Sequence, residues 1–411
     1  MTEAGLNATV PDPAAAPLRP LRLKRREERR LRAGHLWIYS NEVDNEATPL
    51  RAFAPGEPVR ILAANGKPLG TGYVNPHSLI CARILSRRPD RVPGRSLLVH
   101  RLKVALALRE RLFERPFYRL VYGEGDGLPG LVLDRYDDLF VAQITTAGME
   151  RLRGALEEAL ERMFRPRGIL FRNDSPVRTL EGLALAVEQR GEVPEFTEVE
   201  EGGARFRVAL AGGQKTGWFF DQRDNRSLMT RFARGARVLD AFSYVGGWGI
   251  RAALAGAAEV VCLDSSRQAL ALLEVNAVAN GVQDRVRIER ADAFDGLRAL
   301  RDAGERFDLV ILDPPAFIKR RKDYRRGSEA YHALNRLGMR LLGRDGILVS
   351  ASCSSYLAPE GLQQILLQEA RHLDRNLQLL ARGGQALDHP VHPAIAETAY
   401  LKALFCRLTR H

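Results

Sequence analysis

Beyond residue 237, short apolar runs alternate with longer segments in which apolar residues recur every three or four positions. Short apolar runs are typical of buried strands, and the longer spacing is typical of amphipathic helices. The predicted strands are Val238–Phe242, Glu259–Leu263, Val286–Glu289, Leu309–Leu312 and Ile347–Ala351, and the predicted helices are Gly247–Gly256, Arg267–Asn280, Leu297–Ala303 and Ser328–Leu342. This alternation predicts a parallel, doubly wound sheet, so the fold class is α/β with a Rossmann-like C-terminal domain.

The N-terminal half has a different pattern. Between Pro55 and Ser86, strand-like runs are separated by the turn dipeptides Asn65-Gly66 and Asn75-Pro76, which indicates a small β barrel. A helical segment, several strand-like runs and the amphipathic stretch Glu150–Phe164 follow, and they predict an α+β unit. We therefore expect a disordered, Ala- and Pro-rich tail over residues 1–18, a β-barrel domain over 19–90, a middle domain over 96–212 and the doubly wound domain over 213–411.

Composition and charge restrict the classes of protein. The chain has 62 Lys and Arg against 50 Asp and Glu, a net charge of +12 that favours a polyanionic partner. No apolar run is long enough for a membrane helix and the first residues lack a secretory pattern, so we expect a cytoplasmic protein without membrane contact. The four cysteines are widely spaced, and His389 and His392 lack metal-ligand spacing, so neither a disulfide framework nor a metal site is expected.

Polar residues follow four of the predicted strands. The first strand runs into a glycine-containing loop that starts at Asp240, and the others end at Asp264, Asp292 and Asp313. Ligands of open α/β sheets bind beyond the carboxyl ends of the strands, where a carboxylate can accept hydrogen bonds from ribose hydroxyls. The G-x-G-x-x-G spacing of dinucleotide sites is missing. Four polar strand ends in register disfavour the alternative of a sheet edge that binds no cofactor.

The segment after the fourth strand and a cysteine after the fifth suggest covalent chemistry on a base. Asp313-Pro314-Pro315-Ala316-Phe317 is stiffened by its prolines, and Phe317 could stack on a base. Cys353 follows the neighbouring strand. A thiolate that adds to C6 of cytosine makes C5 nucleophilic towards a methylsulfonium, and this chemistry needs an acid near N3. We therefore predict Cys353 as the nucleophile and Asp313 as the acid, and we assign Cys81, Cys262 and Cys406 to the core.

These motifs carry a resemblance to a known family. The Asp240–Gly247 loop departs from the general glycine-rich signature of class I S-adenosylmethionine-dependent methyltransferases, but it is similar to the D-x-F-S-Y-x-G-G variant of certain RNA methyltransferases. From about residue 20 onwards the chain resembles the bacterial 23S rRNA cytosine-5 methyltransferase family with an N-terminal PUA domain. The other matching segments are Gly34–Trp37, Gly125–Gly130, Lys215–Arg223, Asp313–Phe317, Ser352–Ser354, Asp388–Pro390 and Tyr400–Lys402.

The resemblance implies a PUA-like RNA-binding domain, a middle domain and a catalytic domain, with S-adenosylmethionine as methyl donor. It also implies 23S rRNA or a large-subunit precursor as substrate, and a homodimer. Many RNA cytosine-5 methyltransferases have a second cysteine beside the motif proline, but Ala316 stands there in this chain. The predicted cofactor-binding residues are Gln222, Asp240, Phe242, Ser243, Tyr244, Gly246, Gly247, Asp264, Ser265, Asp292, Ala293 and Asp313.

Two basic segments are candidates for binding RNA. Arg19–Arg32 has eight basic and two acidic residues, and Lys319–Arg326 has six basic and one acidic residue directly after Phe317. The alternative for Arg19–Arg32 is a solvated helix with Glu/Arg pairs, but the position of Lys319–Arg326 favours phosphate contacts. The predicted substrate-binding residues are Phe317, Lys319, Arg320, Arg321, Lys322, Lys215, Arg25 and Arg26.

Two other functions stay open at the level of sequence. Methylation of a guanine nitrogen is used by relatives that share the Lys215–Arg223 region, but it needs no thiol. A non-catalytic RNA-binding assembly factor with a relic fold would bind no S-adenosylmethionine.

Overall fold

The structure is a computed structural model that describes residues 17–210 and 217–410. Nearly all of the predicted tail and the predicted RNA-binding residue Lys215 therefore lie outside the described residues. Among the described residues, no helix is both long and apolar enough to cross a membrane.

The N-terminal domain is built on a five-stranded sheet. Its elements are β1 (Arg19–Arg22), α1 (Glu28–Arg32), β2 (Trp37–Ile38), β3 (Glu57–Leu62), β4 (Pro68–Val74) and β5 (Ala82–Ser86), and the strand order is β1-β3-β4-β5-β2. Leu21 and Ile61 pair across β1 and β3 and are both fully buried. The alternative of a solvated helix over Arg19–Arg32 is wrong for the first part, which is a strand with Leu21 buried, whereas Glu28–Arg32 is helical.

The middle domain pairs helices with a second sheet. Its elements are α2 (Arg95–Leu112), β6 (Phe117–Tyr122), β7 (Leu131–Tyr136), β8 (Leu139–Ile144), α3 (Ala147–Arg151), α4 (Arg153–Phe164), β9 (Gly168–Asn173) and β10 (Ala186–Gly191), and the strand order is β10-β9-β8-β7-β6. Leu98 and Leu102 of α2 and Leu156 and Leu160 of α4 pack into one core with the sheet, as their helical spacing requires.

A two-stranded hairpin, β11 (Phe196–Glu201) and β12 (Ala204–Ala209), leads to the C-terminal domain. Glu201 is buried there and accepts hydrogen bonds from Arg226, Arg251 and the Trp218 indole. These contacts fasten the hairpin to the C-terminal domain.

The C-terminal domain is a seven-stranded sheet covered by helices. Its elements are α5 (Arg223–Met229), β13 (Arg237–Ala241), α6 (Gly247–Leu254), β14 (Glu259–Asp264), α7 (Arg267–Ala279), β15 (Val286–Arg290), α8 (Ala293–Asp302), β16 (Phe307–Leu312), α9 (Tyr324–Leu341), β17 (Leu342–Ser352), α10 (Pro359–His372), β18 (Arg375–Gly384) and β19 (Lys402–Arg410). The strand order is β15-β14-β13-β16-β17-β19-β18. The α/β class and the Rossmann-like C-terminal domain are confirmed.

The sheet is mixed rather than wholly parallel, which corrects the prediction. The strand β19 lies between β17 and β18 and runs antiparallel to both. From β13, successive strands are added first on one side, as β14 and β15, and then on the other side, beginning with β16. The crevice of a doubly wound fold lies at this switch point, beyond the carboxyl ends of the parallel strands β13 and β16. Cys81, Cys262 and Cys406 are buried, as predicted, and Cys353 is half-buried.

A buried guanidinium joins the middle and C-terminal domains. Arg109 of α2 donates to both oxygens of Asp126, at 2.6 and 2.8 Å, and to the backbone oxygen of Asp388 at 2.7 Å. A Cβ at Gly125 would stand 1.9 Å from the backbone oxygen of Pro390, so only glycine fits this contact. The two motif segments that contain Gly125 and Pro390 therefore form one interface.

Candidate active site

The loop after β13 has an unusual backbone. Phe242, Tyr244 and Gly246 have positive φ angles of 65°, 50° and 91°. The backbone N–H of Tyr244 donates to Asp264 at 2.9 Å, and that of Gly249 donates to Asp240 at 2.9 Å. Non-glycine residues with positive φ are uncommon and cluster at ligand sites.

Two buried polar atoms in this loop lack a hydrogen-bond partner among the described residues. They are Oδ1 of Asp240 and Oγ of Ser243. Burial raises the pKa of Asp240 to about 8, with Asp313 and Asp264 adding to the effect and the Gly249 N–H opposing it. An unsatisfied buried polar group lowers the stability of the folded state by about 1–3 kcal/mol. A bound ligand with polar groups would remove this penalty at both atoms. The ammonium and hydroxyl groups of S-adenosylmethionine fit that requirement.

The ends of β14 and β15 supply the next carboxylates. Asp264 accepts from the backbone N–H groups of Tyr244 and Ser266, at 2.9 and 2.8 Å, so it also shapes the cofactor loop. Asp292 caps α8, where it accepts from Phe294 N–H at 2.9 Å. Ser265 is exposed beside Asp264, and Ala293 is buried in the first turn of α8. Because β13, β14 and β15 are adjacent and parallel, these residues share one edge of the sheet.

Asp313 is held by two side-chain donors at the end of β16. Its Oδ1 accepts from Gln222 Nε2 at 2.8 Å, and its Oδ2 accepts from Trp248 Nε1 at 3.0 Å. Gln222 is itself oriented by Asn225, whose amide donates to it at 2.6 Å. These two hydrogen bonds fix the orientation of the Asp313 carboxylate, which can accept further hydrogen bonds. Gln222 was predicted from the sequence but Trp248 was missed, although it directly follows the Asp240–Gly247 loop.

The segment around Cys353 is connected to the Asp313 segment by one tyrosine. Ser352 Oγ donates to Tyr331 Oη at 2.8 Å, and Tyr331 Oη lies 2.9 Å from Ser354 Oγ. Ser354 Oγ also accepts from Ile318 N–H at 3.1 Å. The ring of Tyr331 packs on Phe317, with 4.9 Å between centroids. The structure thus brings Cys353, Phe317 and Asp313 to neighbouring strand ends.

A buried lysine accompanies Cys353. Lys402 stands opposite Ser352 in the pairing of β17 with β19, and its Nζ donates to the backbone oxygens of Ser354 and Tyr400, at 2.5 and 2.9 Å. Burial lowers the pKa of Lys402 to about 8, and the interaction with Cys353 opposes the shift. Within the part of the chain that the structure describes, no carboxylate forms an ion pair with Lys402. Its only clue in the sequence was the Tyr400–Lys402 motif.

The predicted RNA-binding residues are spread over two domains. Lys319, Arg320, Arg321 and Lys322 are exposed in the segment after Phe317, and Arg320 pairs with Asp323 at 3.0 Å. Arg25 and Arg26 are exposed in the turn between β1 and α1 of the N-terminal domain. Three or more His, Cys, Asp or Glu side chains positioned to share a metal ion are not found in residues 17–210 and 217–410.

Two family models match the chain. A PUA-like domain matches residues 21–87, and an S-adenosylmethionine-dependent methyltransferase matches residues 182–407. A methyltransferase from Streptococcus mutans has the same fold, with a TM-score of 0.79 and 21% identity over 95% of this chain and 100% of that chain. A second methyltransferase structure, in complex with S-adenosylhomocysteine, has a TM-score of 0.80 at 21% identity. The chain is therefore an S-adenosylmethionine-dependent methyltransferase with an N-terminal PUA-like domain, as predicted.

Curated relatives narrow this class. The chain is 38% identical to ribosomal RNA large subunit methyltransferase I of Tolumonas auensis, over 94% of this chain and 98% of the relative. It is 36% identical to the protein of the same name from Erwinia tasmaniensis, with the same coverage. The chain belongs to the ribosomal RNA large subunit methyltransferase I family.

Proposed function

We propose that this enzyme methylates C5 of a cytosine in 23S rRNA through a covalent adduct with Cys353. The large-subunit rRNA substrate follows the names of its relatives. The base and the mechanism rest on one observation: a half-buried cysteine beside the buried ammonium of Lys402, on the strand next to Asp313. Methylation of a guanine nitrogen has no use for this thiol.

The proposed chemistry begins with the Cys353 thiolate. Its sulfur forms a bond to C6 of cytosine, and the electron pair of the C5–C6 double bond becomes available at C5. C5 takes the electrophilic methyl group that S-adenosylmethionine would supply when bound, and the electron pair of the broken methyl–sulfur bond stays with the departing S-adenosylhomocysteine. Water then takes the C5 proton, the C5–H electron pair re-forms the C5–C6 double bond, and the C6–S bond breaks with its electron pair on sulfur, which restores the ring and the thiolate.

Side chains around the nucleophile have separate tasks in this scheme. The Lys402 ammonium stabilises the thiolate, and the Tyr331 hydroxyl positions both serines that flank it. Asp313, oriented by Gln222 and Trp248, accepts a hydrogen bond from the cytosine amino group. To act as an acid at N3, it must first take up a proton. Phe317 offers a ring for stacking.

Residues on the cofactor edge would hold S-adenosylmethionine. The unpartnered atoms of Asp240 and Ser243 face its polar groups in this proposal, and Asp264 and Asp292 accept from ribose and adenine. We also propose that the enzyme forms a homodimer. The proposed domains extend over residues 19–90, 96–212 and 213–411. Light scattering on the purified protein tests the dimer.

Replacement of the nucleophile tests the proposed function. Cys353→Ala should bind S-adenosylmethionine with unchanged affinity and lose methyl transfer by at least about a thousandfold, because the C6 adduct cannot form. We suggest radiolabelled methyl transfer to 23S rRNA from a strain without the enzyme, followed by nucleoside mass spectrometry. Cys81→Ala, in the N-terminal core, serves as the matched control.

The base and the adduct have separate readouts. An RNA with 5-fluorocytidine cannot lose a proton from C5, so the wild type should remain attached to it through Cys353 in a denaturing gel. Methylated guanosine in the product would contradict the proposal, as would a Cys353→Ala enzyme that forms 5-methylcytidine at the normal rate.

A further inference from the structure

A cleft lined by arginines lies where the N-terminal domain meets α2 of the middle domain. Its volume is about 370 Å³, and its charged or titratable lining residues are Arg87, Arg88, Arg91, His100 and Arg101. Within the described ranges, no acidic side chain lines this cleft. Most of these residues lie near the predicted boundary between the domains over 19–90 and 96–212, and the proposed reaction uses none of them.

The positive charge of the cleft is not balanced by the protein. Among the described residues, Arg87, Arg88, Arg91 and Arg101 form no ion pair with a carboxylate. By contrast, the nearby Arg95 pairs with Glu158 at 3.0 Å. Asp90 is exposed in the same segment but does not line the cleft.

Two of the arginines are fixed by backbone oxygens. Arg87 donates to the carbonyls of Leu31 and His35, at 2.7 and 3.0 Å. Arg101 donates to Leu85 at 3.3 Å, and its buried Nε has no hydrogen-bond partner within the described ranges. Burial lowers the pKa of His100, and the charges of Arg91, Arg101 and Arg88 lower it further. The cleft is therefore a cationic site in which the Arg101 Nε–H can still donate a hydrogen bond to a ligand.

The cleft continues towards the catalytic domain. A second cavity of about 470 Å³ shares Arg87 and Arg101 with it, extends to Pro390 and His392, and is also lined by Glu124 and Asp126. These two residues precede Tyr400, whose backbone oxygen binds the Lys402 ammonium. Because Glu124 and Asp126 line the second cavity, an anion is favoured in the arginine-lined cleft rather than there.

We propose that this cleft binds a backbone phosphate of the RNA substrate. Guanidinium groups match the planar geometry of phosphate oxygens, and clustered arginines without carboxylates gain most from a phosphate. This inference rests on the proposed function only for the identity of the polyanion as ribosomal RNA. It adds an anchoring point outside the two basic segments that the sequence indicated.

Binding of a 23S rRNA transcript to the full chain tests the cleft. The double variant Arg88→Gln/Arg91→Gln should weaken binding several-fold near physiological salt. It should also reduce the slope of log affinity against log salt by about 1, because one phosphate contact is lost. KM for RNA should rise while kcat and the affinity for S-adenosylmethionine stay unchanged. Arg95→Gln, which also removes one exposed arginine but breaks only the pair with Glu158, should bind as the wild type does.

The outcomes separate this inference from the proposed function. Wild-type affinity and salt slope in the double variant would overturn the cleft proposal and would leave the C5 chemistry standing. An equal loss in Arg95→Gln would also overturn it, because the effect would then be one of general charge. Should the double variant unfold at a lower temperature, Arg88→Gln alone, at an exposed position, gives the same comparison. If Cys353→Ala still formed 5-methylcytidine at the normal rate, the proposed chemistry would be refuted, but the RNA-binding curves of the cleft variants would not change.

Discussion

In the proposed chemistry, the single residue Lys402 stabilises the thiolate of Cys353. Its ammonium is buried, binds two carbonyl oxygens and interacts with Cys353. Taking a cation out of water is costly unless an anion is near. The thiolate of Cys353 is the anion that this position favours.

Removal of this ammonium should change the dependence of the rate on pH. With a pKa of about 8, Lys402 is charged below that pH and loses its charge above it. We therefore expect wild-type methyl transfer to decline above about pH 8. In Lys402→Met the thiolate has no cation beside it, so the acid limb of kcat/KM should move to higher pH and the rate at pH 7 should fall about tenfold or more. Rates from pH 6 to 10 measure both effects.

The control for this variant is Lys67→Met, which changes an exposed lysine in the N-terminal domain. Its pH profile should match that of the wild type. If Lys402→Met also kept the wild-type profile, Lys402 would only fill space and bind backbone oxygens.

At the scale of elements, α9 connects two loops that the chain separates widely. Tyr331 Oη is shared by Ser352 and Ser354, and its ring packs on Phe317. Through Tyr331, the helix α9 thus sets the distance between Cys353 and the ring of Phe317, which we propose to stack on the base.

Tyr331→Phe should separate positioning from binding. The change leaves Ser352 and Ser354 without this buried partner, so the free energy of unfolding should fall by about 1–3 kcal/mol. We expect kcat to fall about tenfold or more, because the two serines that flank Cys353 lose the hydroxyl that positions them while the ring that packs on Phe317 is kept. The affinity for S-adenosylmethionine should not change. Urea unfolding, calorimetry and steady-state kinetics measure these quantities. Tyr356→Phe, at a half-exposed tyrosine close by, is the control, and an unchanged kcat in Tyr331→Phe would refute the positioning role.

The sequence allowed the main elements and the cofactor edge to be predicted because both are local. Apolar runs mark β13, β14 and β16, and each has an aspartate at or next to its carboxyl end, which the parallel arrangement places at the same edge of the sheet. The contacts of Lys402 and Tyr331 could not be predicted, since Lys402 meets Ser354 across 48 residues of sequence. The order of β17, β19 and β18 brings them together. In β18, exposed side chains alternate with partly buried ones and only Arg375 is buried, so the sequence of this edge strand has no clear apolar pattern.

At the scale of the whole molecule, the middle domain is joined to the catalytic domain through buried polar contacts. Arg109 connects Asp126 to the backbone of Asp388, and Asp388 in turn accepts from the backbone N–H of Arg119 at 2.9 Å and pairs with His389. The segment that carries Asp388 leads on to Tyr400 and Lys402. The orientation of the middle domain and the placement of Lys402 therefore depend on the same joint.

Disruption of that joint should lower stability and activity together. Arg109→Met leaves the Asp126 carboxylate, 5% exposed, buried without its cation, and loss of one partner from a buried pair costs about 3–5 kcal/mol. We expect a lower urea midpoint and, because the joint between domains is the part weakened, a transition that no longer coincides when followed by Trp fluorescence and by circular dichroism. Arg111→Gln, on the exposed face of the same helix, should unfold like the wild type. A single coincident transition at the wild-type midpoint in Arg109→Met would mean that apolar packing alone holds the two domains together.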